Sequence, residues 1–216
     1  LDKIDIATTK EMKIPVMFTP GVNHTTVAEH TFCLLLALVK NLIPSVDATR
    51  KGEWLRLTGH ELWSKKIGVI GLGRIGQEVI IRAKAFGMEV HGYGNFWPTE
   101  FCEQYGVIRH DSIDSIFSTC DIISPHTKLA ADTKHLINRE RLALLPKGAV
   151  IVNTGRGELG DRVGLYIGEG DVGPIVDLIV VVPAQGALGI DVARRQRLCG
   201  CGILHDFLDF LLVIFF

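Results

Sequence analysis

The sequence predicts an α/β protein built on a doubly wound parallel sheet of Rossmann type, with remnants of a second domain. Three observations predict it. Short apolar runs of strand character alternate with helical segments up to about residue 155. A Gly-x-Gly-x-x-Gly loop, Gly71 to Gly76, follows one of these runs directly and opens a helix. The runs are apolar along most of their length, as strands covered by helices on both faces must be.

Taken in order, Ile14-Pro15-Val16-Met17-Phe18 is a strand-like apolar run ended by the turn residues Thr19-Pro20-Gly21. A long helix follows from Thr25 to about Lys40, apolar on most sides between Phe32 and Val39. Pro44 is expected to end or kink it, although helical pattern resumes through Ala48. Lys66 to Ile70 is a buried-strand pattern, and the glycine loop turns it into a helix that reaches Phe86, with Gly87 as its stop. Met88 to Tyr93 is the next strand, Ser112 to Ser118 a helix and Asp121 to Ser124 a third strand. Asn138 is placed to cap a short helix over Arg139 to Leu145, ahead of a fourth strand from Gly148 to Asn153. After about residue 158 glycines become frequent and the pattern is least legible. The chain is expected to divide into 1–20, the end of a first lobe, 21–198, the main α/β domain, and 199–216, a divergent tail.

Composition narrows the function. Of 216 residues 47% are hydrophobic and 22% charged, with a net charge of -1. That balance gives no electrostatic reason to expect nucleic acid or an acidic membrane as partner. No apolar run reaches the ~20 residues of a bilayer-spanning helix. Leu1-Asp2-Lys3-Ile4-Asp5 is too polar to open a signal peptide, so the expected compartment is the reducing cytoplasm. Among five cysteines, Cys33 and Cys120 sit among apolar neighbours and read as small core residues. Cys199-Gly200-Cys201 lacks a second pair at zinc spacing, so no metal site is expected. His24, His60 and His110 read as exposed loop positions.

The glycine loop carries the chemistry. Gly71 permits the tight turn, Gly73 admits a pyrophosphate close to the backbone and Gly76 lets helix and strand pack closely. The free N–H groups at the start of that helix, from Arg74 and Ile75 onward, offer partial positive charge to phosphate, and Arg74 adds a cation. An acidic residue normally ends the second strand to bond the ribose hydroxyls, but Gly94 stands there, followed by Asn95. Loss of the carboxylate removes the usual repulsion of a 2′-phosphate, yet no Arg or Lys follows within several residues to hold one. NAD is the expected cofactor, with NADP left open and Asn95 able to bond either.

Five motifs occur in order: Ala28-Glu29-His30-Thr31, Lys51-Gly52-Glu53-Trp54, Gly71-Leu72-Gly73-Arg74-Ile75-Gly76, His135-Leu136-Ile137-Asn138 and Asn153-Thr154-Gly155-Arg156-Gly157. Together they resemble the D-isomer-specific 2-hydroxyacid dehydrogenases over about residues 1–158. The resemblance implies a nucleotide domain inserted into a substrate domain made from the two chain ends, most of the first lobe lying outside this sequence. It implies hydride transfer between nicotinamide and a small 2-hydroxy or 2-keto acid. Arg156 would grip the substrate carboxylate, and Thr154, Gly155 and His126 would line the cofactor cleft. Asp177 would lie near the nicotinamide amide. Val182 stands where the family's glutamate is expected, and His205 lies at the family's distance for the proton-moving histidine, in a different setting. The resemblance further implies a homodimer joined in part through the helix after Thr25. The alternative to an enzyme is a catalytically inactive or truncated NAD-binding module acting in binding or regulation.

Overall fold

The computed structural model describes residues 4–160 and the strand Leu178–Val181; the side chains discussed below belong to residues 4–160. Five strands run parallel: β1 (Lys66–Ile70), β2 (Glu89–Tyr93), β3 (Ile108–Arg109), β4 (Ile122–Pro125) and β5 (Val150–Asn153). A sixth, β6 (Leu178–Val181), pairs antiparallel with β5, and the sheet order is β3-β2-β1-β4-β5-β6. The chain therefore reverses its winding between β1 and β4, the crevice where open α/β sheets take their ligands.

Each parallel strand reads as it does because both of its faces are covered. In β4 and β5 every residue is buried, and in β1 all but Lys66. One face packs against α2 (His24–Val39) and α4 (Arg74–Ala85), where Phe32, Leu35, Val79 and Ile80 meet Ile67, Val69 and Val90. The other packs against α6 (Ile113–Thr119) and α7 (Arg139–Leu142), where Ile116, Phe117 and Leu142 meet Ile70, Ile123 and Ile151. The caps follow the sequence: Ser112 Oγ accepts from Ser115 N–H, and Asn138 Oδ1 accepts from Arg141 N–H at 3.0 Å.

Several expectations needed correction. Ile14 to Phe18 forms no strand; Ile14, Met17 and Phe18 are exposed, and Pro15 and Pro20 remove donors that a ladder would need. The long helix breaks at Asn41, whose φ of 52° is left-handed, and a new helix α3 (Leu42–Arg50) starts there. Pro44 lies in the first turn of α3, where its missing N–H costs nothing. Cys33 is exposed on α2, whereas Cys120 is buried as expected, and burial pushes its thiol up to about 12. Further short elements are α1 (Ile6–Glu11), α5 (Thr99–Gln104) and β3.

His110 is not a loop bystander. Its Nε2 lies 2.8 Å from His91 Nδ1, His91 Nε2 lies 2.8 Å from Glu89 Oε1, and His110 Nδ1 lies 2.7 Å from Ser115 Oγ. One proton arrangement satisfies all three contacts. His91 donates to Glu89, His110 donates to His91, and the Ser115 hydroxyl donates to His110. Burial first and the neighbouring His91 second hold His110 below the usual imidazole range, which suits its neutral place in this chain. The polar string ties α6 and the residue after β3 to the outer part of the sheet.

Candidate functional site

The C-terminal ends of β1, β4 and β5 lie side by side and carry three loops. The first is the glycine loop. Gly71 has φ 97°, and a Cβ there would stand 2.8 Å from the His126 carbonyl oxygen. A Cβ on Gly76 would run into the Gly71 carbonyl. Gly71 N–H donates to Tyr93 O at 2.8 Å, and Gln77 Nε2 donates to Leu72 O at 3.0 Å, so the turn is fixed from both sides. Gly73, the residue before α4, has the opposite surroundings: nothing lies within 4 Å of where its Cβ would be. The loop is thus closed underneath and open above, in front of the first N–H groups of a twelve-residue helix.

The second loop leaves β4. His126 N–H donates to Ile70 O at 2.7 Å, which carries the β1–β4 ladder one step past the strands. Its ring Nε2 lies 2.8 Å from Ser124 Oγ. Desolvation pushes the His126 imidazole down to about 4, so the ring is neutral at pH 7. The next residue, Thr127, has a buried Oγ1 with no hydrogen-bond partner among the described residues. An orphaned hydroxyl beside a phosphate-type loop is a polar group whose partner a ligand would supply.

The third loop leaves β5 and carries Arg156. Asn153, wholly buried, accepts from Gly155 N–H and donates to the Arg156 carbonyl, both at 3.0 Å. Thr31 of α2 spends its proton on Val27 O at 2.9 Å, so at 3.0 Å it accepts from the Thr154 hydroxyl. Arg156 itself is exposed, and the short 3-10 turn Gly157–Leu159 then returns the chain to Ile137, whose N–H donates to Leu159 O at 2.8 Å.

The structure therefore gathers Gly71, Gly73, Ile75, Gly76 and His126 at one end of the sheet, with Thr154, Gly155 and Arg156 one strand beyond His126. Asn95 lies past the end of β2 and is exposed. Gly94 stands beside the glycine loop, its Cβ position 3.5 Å from Leu72 N and 3.6 Å from Gly71 Cα, where an acid would overlook the same site. Arg74 extends towards the segment before α2: a Cβ on Gly21 would collide with its guanidinium. The two line a cleft of about 470 Å³ with Pro20, His24, Gln77 and Glu78. Asp177, Val182 and His205 lie outside the described residues. Thr127 and Asn153 were not singled out as site residues in the sequence, although an Asn closing the apolar run Ala149 to Val152 was a usable signal.

The open glycine loop, the helix start and the orphaned Thr127 hydroxyl fit a dinucleotide, and the fold is that of the dinucleotide-binding proteins. Comparison with known proteins makes the class specific. Residues 32–167 match the family model described as D-isomer specific 2-hydroxyacid dehydrogenase, NAD binding domain. The chain is 43% identical over 168 residues to a D-3-phosphoglycerate dehydrogenase of Methanocaldococcus jannaschii, covering 77% of this chain and 32% of that protein. It is 39% identical over 168 residues to a hydroxypyruvate reductase of Thermotoga maritima, covering 77% and 54%. Among solved structures, D-lactate dehydrogenase from Aquifex aeolicus complexed with NAD and lactic acid superposes with a TM-score of 0.69 at 35% identity, over 77% of this chain and 50% of that one. The chain belongs to the D-isomer specific 2-hydroxyacid dehydrogenase family and contains its NAD binding domain. It spans between a third and about half of the length of these relatives. No single helix among the described residues is long and apolar enough to cross a membrane.

The neutral state of His126 is testable. The depressed imidazole contributes stability that is fully present above its ordinary value of 6.5 and is lost as pH falls from there towards about 4. Ring resonances followed by NMR should show His126 unprotonated throughout pH 6 to 8. A titration midpoint near 6.5 would show that the ring is solvated instead.

Proposed function

We propose that the chain is the nucleotide-binding part of an NAD-dependent oxidoreductase that interconverts a small D-2-hydroxy acid and its 2-keto acid. The observation that carries this reading is the neighbourhood of the glycine loop and Arg156 at the same end of one sheet, with His126 and Thr127 between them. Bound nicotinamide would supply or accept the hydride. Gly71, Gly73 and Gly76 shape the loop, and the Arg74, Ile75 and Gly76 end of α4 faces its pyrophosphate with partial positive charge. Thr127, His126, Thr154 and Gly155 line the path from that loop towards Arg156. The Arg156 guanidinium, a planar fork of donors, holds the substrate carboxylate and so turns the 2-carbonyl towards the transferred hydride. Replacing Arg156 by Ala should raise KM for glyoxylate, hydroxypyruvate or phosphohydroxypyruvate and reduce kcat/KM by on the order of 10²-fold, while cofactor affinity changes little. Unchanged turnover in steady-state assays of Arg156→Ala would remove Arg156 from the reaction. Turnover that depends on Arg156 would equally exclude a purely binding role for the protein.

Cofactor preference follows from Gly94. With no carboxylate there, discrimination against a 2′-phosphate at this position is weak, and NAD is favoured by the match to the family's NAD binding domain and by the absence of a following basic residue in sequence. The backbone at Gly94 is not in the left-handed region, and its Cβ position has a single tight neighbour, Phe96 O at 3.3 Å. Gly94→Asp should therefore fold and shift binding towards NADH over NADPH by about tenfold or more, the effect of one charge-assisted hydrogen bond gained by one cofactor and a repulsion met by the other. Equal affinities before and after, measured by calorimetry, would show that the β2 end does not read the ribose.

A homodimer completes the reading. Support comes from apolar side chains left open after α3, with Trp54 87% and Leu55 51% exposed, and from Cys33 on the outer side of α2. Sedimentation should give twice the chain mass for the wild type and a shift towards monomer for Trp54→Glu. A monomeric wild type would refute the dimer and leave the cofactor site untouched.

A further inference from the structure

We propose that Asn153 is the positioning residue for Arg156, and that Thr31 of α2 acts with it through Thr154; this rests on the reading of Arg156 as the substrate-carboxylate clamp. Asn153 closes β5 as the one polar residue of a strand that is otherwise Val150, Ile151 and Val152. A buried amide in that position needs partners, and it finds them in its own loop. Its oxygen takes the N–H of Gly155 and its nitrogen meets the carbonyl of Arg156, each at 3.0 Å. The side chain thus fixes the peptide on either side of the Gly155–Arg156 link and with it the direction in which the Arg156 side chain departs. Gly155 follows the same surface, since a Cβ there would stand 3.3 Å from Asn153 Oδ1.

The second tether comes from another element. Thr31 is buried on α2, and because its hydroxyl proton goes to Val27 O, the Thr154 hydroxyl must be the donor in the 3.0 Å contact between them. The residue between Asn153 and Gly155 is thereby tied to a helix 123 positions earlier. Two tethers, one within the loop and one from α2, hold the base of Arg156 before any substrate arrives. A clamp built in this way loses orientation rather than charge when a tether is cut, and a misplacement of about 1 Å can cost about 100-fold.

The test is a double-mutant cycle in the intact protein with NADH and whichever of the three 2-keto acids above is turned over. Asn153→Ala removes the acceptor for Gly155 N–H and the donor to the Arg156 carbonyl and adds no charge beneath the guanidinium. It should raise KM for the keto acid by tenfold or more, up to about 100-fold, with NADH affinity nearly unchanged. In an Arg156→Ala background the same change should add nothing further. Thr154→Val cuts the second tether with little change of shape and should show a smaller rise with the same lack of additivity, which keeps the test intact should Asn153→Ala fold poorly. Additive effects, or a loss of NADH affinity equal to the loss of keto-acid affinity, would overturn the positioning role while leaving the clamp in place. If Arg156→Ala itself leaves KM unchanged, the clamp and the positioning role fall together.

Discussion

The structure turns on a close approach of three backbones. The Gly71 peptide lies against the His126 carbonyl on one side and against Gly76 on the other, and neither glycine position has room for a Cβ. This packing lets β1 pass into α4 through three residues, Gly71, Leu72 and Gly73. It also draws the end of β4 up against the loop, since the His126 N–H continues the ladder to Ile70 O. Because β5 is hydrogen-bonded to β4, the Arg156 loop is carried to the same rim. A single methyl group at Gly71 or Gly76 would have to be accommodated by moving backbone, and interiors packed at crystal-like density resist such shifts.

What was legible in the sequence follows from the same physics. The strands buried on both faces announced themselves as apolar runs, and the helices between them by caps such as Ser112 and Asn138. The short edge elements did not. β3 is two residues long with both exposed, so its pairing with β2 leaves no apolar pattern to read. Ile14 to Phe18 had the opposite fault: an apolar run with no partner strand among the described residues, broken by Pro15. The glycine loop and the Arg156 loop were visible because their spacing is local. Thr127 and Asn153 were harder to see, because their roles depend on what is missing beside one and on what the backbone of the other's own loop offers. The Glu89–His91–His110–Ser115 string was invisible for a related reason, since it joins residues up to 26 positions apart through register alone.

The electrostatics of the site are mostly those of neutral groups. The start of α4, the Ser124 hydroxyl, the neutral His126 ring and the Thr127 hydroxyl all present dipoles rather than charges. Dipoles fixed by the fold stabilise an anion without the desolvation cost of burying a cation. Arg74 extends from the helix start towards Gly21, and Arg156 stands exposed at the far end of the row. Among the described residues, the two arginines therefore sit at the margins of the row, and dipoles stand between them.

The choice of an amide beneath Arg156 fits that distribution. An aspartate at position 153 would accept from Gly155 N–H equally well, but it would turn a second oxygen towards the Arg156 carbonyl. That sets an acceptor against the Arg156 carbonyl, which would keep only the Leu159 N–H as its donor. It would also place a negative charge under the one side chain expected to attract a carboxylate, and weaken that attraction at short range. Asparagine supplies one donor and one acceptor at the spacing that the loop needs and adds no charge. The two hydrogen bonds of Asn153 thus hold the loop without bringing a charge of their own beneath Arg156.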